Sequence, residues 1–199
     1  MGVAEKTGIE MKFGIIGLGS IGQRHVRCLR ELGCRDIVAL RTKKGTISNL
    51  PKDLDFVEES YSDKDFFFNK LDGIIIANPT SLHIDSMKKC LKRDTKIFVE
   101  KPIAVSLRQS NEIGKSESSR IMVGFNLRHN EMIKSVRNFI KSKKIGRIYK
   151  ANLYCGQYLK SWHPYADYRK EYYSRKDMGG GVLRTLCHEI DLMHYFFGA

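Results

Sequence analysis

The sequence predicts an α/β protein, a doubly wound parallel sheet followed by the truncated start of an α+β unit, and three observations carry that prediction. Short apolar runs alternate with helical periodicity from residue 12 to residue 125, the pattern of repeated strand, helix, strand units. Gly17, Gly19 and Gly22 form a G-x-G-x-x-G turn between the first strand and the first helix. After Phe125 the rhythm changes to one helix, one long extended run and a loop rich in aromatic and charged residues.

The elements follow in order. "KFGII" at 12–16 is a short apolar run ended by glycine, and 21–32 places Ile21, Val26, Leu29 and Leu32 at roughly helical spacing. "DIVAL" at 36–40 is a second buried strand. Ser62 with Asp65 makes a capping box that opens a helix through Phe66, Phe67 and Phe68. "GIIIA" at 73–77 is the plainest core strand, with no polar face at all, as expected inside a parallel sheet. A helix at 81–92, a strand at 96–100, a helix start at Ser106 and Gln109, and a strand at 121–125 complete the alternation. A helix at 131–140 then leads into a long strand, "GRIYKANLYCGQYL", at 146–159, and the chain finishes in a glycine-led amphipathic helix. These readings divide the chain into a first domain at 11–125 and a partial second domain at 126–199.

Composition bounds the class. A chain of 199 residues, 42% hydrophobic and 29% charged, can bury a core of ordinary size. Thirty-five Lys plus Arg against 22 Asp plus Glu leave +13, a surplus that favours anionic partners. The basic residues are scattered, however, and the densest run, "KSKK" at 141–144, reads as the solvated end of a helix, so nucleic acid is not the expected partner. Five cysteines, with no C-x-x-C pair, argue for reduced thiols and against a disulfide frame or a metal knuckle. No metal site is expected. Residues 1–10 lack the apolar core of a signal peptide and read as a loose leader, or Met11 is the start; no run is long enough to span a membrane. A cytoplasmic protein is the expectation.

The glycine turn carries the first chemistry. A first glycine permits the tight turn, a second lets a pyrophosphate approach the backbone, and a third allows close helix and sheet packing. Ser20 and Ile21 open the helix whose N-terminus would face the phosphates. About 20 residues further on, a carboxylate usually meets the adenosine ribose. Here Arg41, followed by Thr42 and Lys43, stands instead and would attract a 2′-phosphate, which leans the cofactor from NAD to NADP; a solvated basic turn gives the same sequence. Asn78, Pro79, Thr80 and His83 follow the "GIIIA" strand at the edge where such sheets bind ligands. Glu100 and Lys101 end the next strand at the same edge, with Pro102 stiffening the turn.

Taken together, "GLGSIGQRH", "ANPTSLH", "VEKPIA", "GFNLRHN" and "GGGVLRTLCHEIDLMHYFFG", in that order, resemble the Gfo/Idh/MocA family, relatives of glucose-fructose oxidoreductase and inositol dehydrogenase. The resemblance runs from Lys12 to Gly198 and implies a Rossmann domain followed by a substrate domain that is incomplete here. It implies that Lys101 contacts the reacting hydroxyl and that His188 assists proton transfer during hydride exchange with the nicotinamide. Many relatives carry an aspartate three or four residues before that histidine, where this chain has Thr185 and Arg184; a hydroxyl can bind substrate but cannot hold charge. Asp191, on the same helical face as His188, is a candidate to orient its ring, unless Arg184, His188 and Asp191 form only a polar helix face. The apolar face of Leu183, Leu186, Ile190, Met193 and Phe197 needs cover, from a missing sheet or from a partner subunit.

The stretch at 156–178 mixes Trp162, Tyr158, Tyr165, Tyr168, Tyr172, Tyr173, Arg169 and Arg175. Aromatic faces stack on sugar rings and arginines bind carboxylate or phosphate, so a pocket for a sugar or nucleotide sugar is one reading, and an oligomer interface is the other. Its resemblance to enzymes acting on surface-polysaccharide sugars favours the pocket. The expected function is an NAD(P)-dependent oxidoreductase acting on a sugar hydroxyl or keto group, working as a homo-oligomer. The rival reading is a truncated dinucleotide-binding module without turnover.

Overall fold

The computed structural model describes residues 10–42, 50–162 and 167–198. Residues 1–9 of the expected leader, together with Lys43 and Tyr165, lie outside the described residues. The chain divides into two compact units, 1–123 and 124–199, each described by itself below.

The first unit is a six-stranded sheet in the order β3-β2-β1-β4-β5-β6, with every neighbouring pair parallel. Its strands are β1 (Lys12–Ile16), β2 (Asp36–Leu40), β3 (Glu58–Ser60), β4 (Gly73–Ile76), β5 (Lys96–Val99) and β6 (Ile121–Val123). Helices α1 (Ser20–Glu31), α2 (Asp63–Phe68), α3 (His83–Leu91) and the single turn α4 (Leu107–Ser110) connect them. The expected doubly wound α/β sheet is therefore present. Alternation along the strands explains why both faces are covered: Ile15, Ile37 and Ile75 pack with Val26 and Leu29 of α1, while Ile16, Val38, Ile74 and Ile76 pack with Phe66, Phe67, Ile84 and Met87 of α2 and α3. The strand at 58–60 escaped the sequence reading because its residues, Glu58, Glu59 and Ser60, are polar. As an edge strand it pairs only with β2 and buries little.

Strand order reverses between β1 and β4, whose last residues Ile16 and Ile76 are in register. Two backbone hydrogen bonds carry the ladder into the loops on that side: Ala77 N–H donates to the Ile16 carbonyl at 2.9 Å and Glu100 N–H to the Ile76 carbonyl at 2.9 Å. The loops bearing Gly17, Asn78 and Lys101 therefore start from one level. The predicted caps are present too, Ser62 accepting from the Asp65 amide and Ser106 from the Gln109 amide.

In the second unit α5 (Glu131–Lys141) is capped by Asn130, whose side chain accepts from the Met132 and Ile133 amides. Two expectations are corrected here. Residues 146–158 form no strand, because a strand is a hydrogen-bonded ladder and no segment among the described residues pairs with them. The terminal helix is broken into α6 (Val182–Thr185) and α7 (His188–Phe197), with Leu186 leaving helical geometry at ψ 44°. Ahead of it, the glycine run meets a steric demand: a Cβ on Gly180 would lie 2.3 Å from the Tyr172 carbonyl oxygen, and Gly181 has φ +119°. Val182, Leu183, Ile190 and Phe197 are exposed.

Candidate functional site

In the first unit the chemistry-bearing residues gather at the C-terminal edge of the sheet, beside the strand-order reversal, where open α/β sheets bind ligands. Gly17 turns at φ +96°, and a Cβ there would meet the Asn78 backbone at 2.8 Å, so the loops after β1 and β4 touch. Gly22 packs α1 onto that turn so closely that a Cβ would lie 2.0 Å from the Gly17 carbonyl oxygen. Gly19 differs from both, since a Cβ at Gly19 would find nothing within 4 Å among the described residues. The middle glycine is not required by the packing of the described residues.

The N-terminus of α1, at Ser20 and Ile21, has no side-chain cap and no acidic residue in its first turn. Its amides and helix dipole form a region of positive potential next to Gly19. Asn78 donates from Nδ2 to the Ser86 hydroxyl at 2.9 Å, while its Oδ1 is buried with no hydrogen-bond partner among the described residues.

Glu100 and Lys101 follow β5. The Glu100 carboxylate is clasped by His25 of α1, with Nε2 and Oε1 2.7 Å apart, and its other oxygen accepts from the Lys101 amide at 3.2 Å. His25 is a residue that sequence reasoning did not single out, although it stands in the "GLGSIGQRH" motif. Its spacing from the glycines gave no reason to join it to a strand-end glutamate far along the chain.

Three expected cofactor-lining residues sit differently. His83 is only 1% exposed, with Nδ1 2.9 Å from the Pro102 carbonyl oxygen and Nε2 2.9 Å from that of Asn78. It ties the β4 and β5 loops together from inside rather than lining a groove. Burial is the main cause that holds its pKa below the ordinary value, the two carbonyls opposing it. Thr80, 3% exposed, is likewise buried, whereas Pro79 keeps partial exposure. Arg41, 8% exposed, is not an open cation at the end of β2: its Nη1 donates to Glu59 Oε2 at 2.5 Å.

In the second unit His188 opens α7, its ring edge-on to Phe125 at 6.1 Å. Thr185 ends α6 and is half-buried. Asp191, the candidate to orient the His188 ring, pairs with Arg128: Nε reaches Oδ2 at 2.9 Å and Nη2 reaches Oδ1 at 2.6 Å, so both carboxylate oxygens accept from that guanidinium. The same guanidinium lies over the Phe125 and Tyr195 rings. Trp162 packs against Tyr173 at 5.4 Å, Tyr158 is exposed, and the exposed Arg169 pairs with its neighbour Asp167. Among the described residues no helix is long and apolar enough to cross a membrane, and no cluster of His, Cys, Asp or Glu could hold a metal.

A parallel sheet ordered 3-2-1-4-5-6 with a glycine turn at its reversal defines a dinucleotide-binding class of protein. Comparison with known families agrees. Residues 11–125 match the model described as oxidoreductase family, NAD-binding Rossmann fold, and residues 133–199 match the GFO/IDH/MocA C-terminal domain. The chain belongs to the Gfo/Idh/MocA oxidoreductase family.

Among curated relatives it is 24% identical over 196 residues to glucose-6-phosphate 3-dehydrogenase of Bacillus subtilis, covering 94% of this chain and 53% of that protein. Among solved structures, myo-inositol 2-dehydrogenase from Lactobacillus plantarum matches with TM-score 0.74 at 21% identity, over 94% of this chain and 56% of the other. The WlbA dehydrogenase from Thermus thermophilus, in complex with NAD and UDP-GlcNAcA, matches with TM-score 0.71 at 17% identity, over 94% and 63%. The chain spans about half the length of the curated relatives it matches. The residues present fit a dinucleotide: open space over Gly19, an uncapped α1 N-terminus and the buried, unpartnered Asn78 Oδ1 are what a pyrophosphate and an adjoining polar group would use.

Proposed function

We propose that this chain binds a nicotinamide dinucleotide at the edge of its first sheet and takes part in oxidoreduction of a hydroxyl or keto group on a sugar or nucleotide sugar. The observation that carries the reading is that, among the described residues, space is open at Gly19 and no side chain caps the adjoining α1 N-terminus. A tight turn alone would explain Gly17 and Gly22 but not the emptiness between them.

The cofactor, when bound, supplies the hydride acceptor or donor. The chain's own residues have the remaining tasks. Gly17, Gly19 and Gly22 with Ser20 and Ile21 hold phosphate through backbone amides, while Asn78 and Pro79 border it. Glu100, clasped by His25, fixes the turn that presents Lys101. A carbinol must lose its hydroxyl proton as the hydride leaves, and we assign that proton to Lys101 and His188, with Thr185 donating or accepting a hydrogen bond to the substrate. Tyr158, Trp162 and Arg169 offer the aromatic and cationic chemistry that binds a sugar ring and an acidic substituent. Arg41 is the reason to include NADP beside NAD. A second copy of the chain is proposed to cover exposed apolar side chains such as Met132, Ile190 and Phe197.

The test is a calorimetric titration with NADH and NADPH, followed by reduction assays on a panel of inositols, hexose phosphates and nucleotide sugars. Binding with turnover supports the reading. Binding without turnover by the folded chain reduces it to a dinucleotide-binding module.

A further inference from the structure

We propose that His83 is a positioning residue of the dinucleotide site: it ties the loops after β4 and β5 to each other fully only when both ring nitrogens carry a proton, so the dinucleotide and one proton bind together. The inference rests on the dinucleotide-binding reading above.

His83 opens α3 and is 1% exposed. Its Nε2 lies 2.9 Å from the Asn78 carbonyl oxygen, in the loop after β4, and its Nδ1 lies 2.9 Å from the Pro102 carbonyl oxygen, in the turn after β5. Both neighbours are acceptors. A neutral imidazole carries one N–H, so it donates to one carbonyl and turns a lone pair toward the other, whereas the imidazolium donates to both. Burial holds the ring below its ordinary pKa, so near neutral pH the neutral ring prevails, holding one loop while its lone pair opposes the other.

The segments that meet the ring bring few ionisable groups. Residues 73–82, which supply β4 and the loop after it, contain none. The turn after β5 brings Glu100 and Lys101, with His25 of α1 on the Glu100 carboxylate, and α3 itself brings Asp85 in its first turn. The Glu100 charge favours the imidazolium. A dinucleotide at this edge acts in the same direction twice. Its phosphates add negative charge, and its seat needs both loops in place together, Asn78 and Pro79 on one side and Lys101 on the other. Linkage makes the effect reciprocal: the ligand draws a proton from the buffer onto the ring nitrogen that lacked one, and protonation tightens the ligand.

The experiment is calorimetric titration of the 199-residue chain with NADH in two buffers of different ionisation enthalpy, which counts the protons taken up. The wild type is expected to take up roughly half a proton per NADH near about pH 6.5, and to bind about twofold more tightly there than at about pH 8. His83→Gln, whose amide donates to one carbonyl at either pH, should lose both the uptake and the pH dependence. Should that variant fail to fold, nitrogen NMR of the wild type labelled at histidine gives the answer without it: NADH should move both ring nitrogens of a buried histidine to the imidazolium position. An absence of proton uptake by the wild type, uptake that persists in folded His83→Gln, or a histidine spectrum that NADH leaves neutral would overturn the proposal. So would a variant weakened equally at both pH values, the mark of a merely structural residue. A wild-type chain that binds no NADH would instead remove the reading on which the proposal rests.

Discussion

Arg128 grips Asp191 with two nitrogens on two oxygens, 2.9 and 2.6 Å apart, and the carboxylate it holds is only 6% exposed. The pair joins the turn after Phe125 to α7, the helix that begins with His188. Removing the guanidinium strands a buried carboxylate. Because Arg128 is itself 43% exposed, water softens the loss, and Arg128→Ala is expected to cost about 2 kcal/mol. Arg128→Lys should recover only part of it, since a lysine cannot make the two-pronged contact. Urea unfolding followed by circular dichroism measures both; an unchanged midpoint for Arg128→Ala would remove the clamp from the account.

His83 predicts a pH dependence of stability. Its folded pKa lies below its ordinary value of 6.5, mainly because the ring is buried. Between those two values the unfolded chain binds more protons than the folded one, so stability rises with pH through that window. The contribution is therefore present above about pH 6.5 and is lost as pH falls through the folded value. His83→Asn should lower stability at pH 8 and flatten the slope below 6.5, seen as melting temperature against pH. An unaltered slope in the variant would assign the acid sensitivity to other groups.

Lys101 separates binding from chemistry. It follows β5 on a turn whose preceding carboxylate is held by His25, and its assigned task is the substrate proton. Lys101→Met is expected to reduce turnover by about 10²-fold or more while NADH affinity stays within about threefold, because general acid and base groups act on the rate. Steady-state assays and calorimetry on one preparation give both numbers. A variant with full turnover would take the proton away from Lys101.

The sheet was legible because a parallel sheet leaves plain marks: "GIIIA" has no polar face, and Ser62 and Ser106 advertise the helices they cap. The strand at Glu58–Ser60 was hidden, since an edge strand need not be apolar, and the pairing of Arg41 with Glu59 of that strand was consequently not foreseen. The long extended run at 146–158 shows the opposite failure. Alternating side chains suit a strand, but a strand also needs a neighbour, and a single sequence does not show which neighbours are present. Site residues were legible where local geometry is the message, as at Gly17 and Gly22. They were obscure where a distant side chain decides the role, as Arg128 does for Asp191 and the Pro102 carbonyl does for His83.

Gly19 tests the central claim most directly, because its packing and its proposed use come apart. A methyl group there meets no neighbour within 4 Å among the described residues, whereas one on Gly22 would strike the Gly17 carbonyl at 2.0 Å. Gly19→Ala should therefore leave the thermal midpoint nearly unchanged while weakening NADH binding by about tenfold or more, the methyl standing where backbone meets pyrophosphate. Gly22→Ala should destabilise the fold itself. Calorimetric titration of Gly19→Ala with NADH, at a melting temperature matching the wild type, is the decisive measurement: lost binding is the predicted result, and wild-type affinity would contradict the claim that this turn holds a dinucleotide.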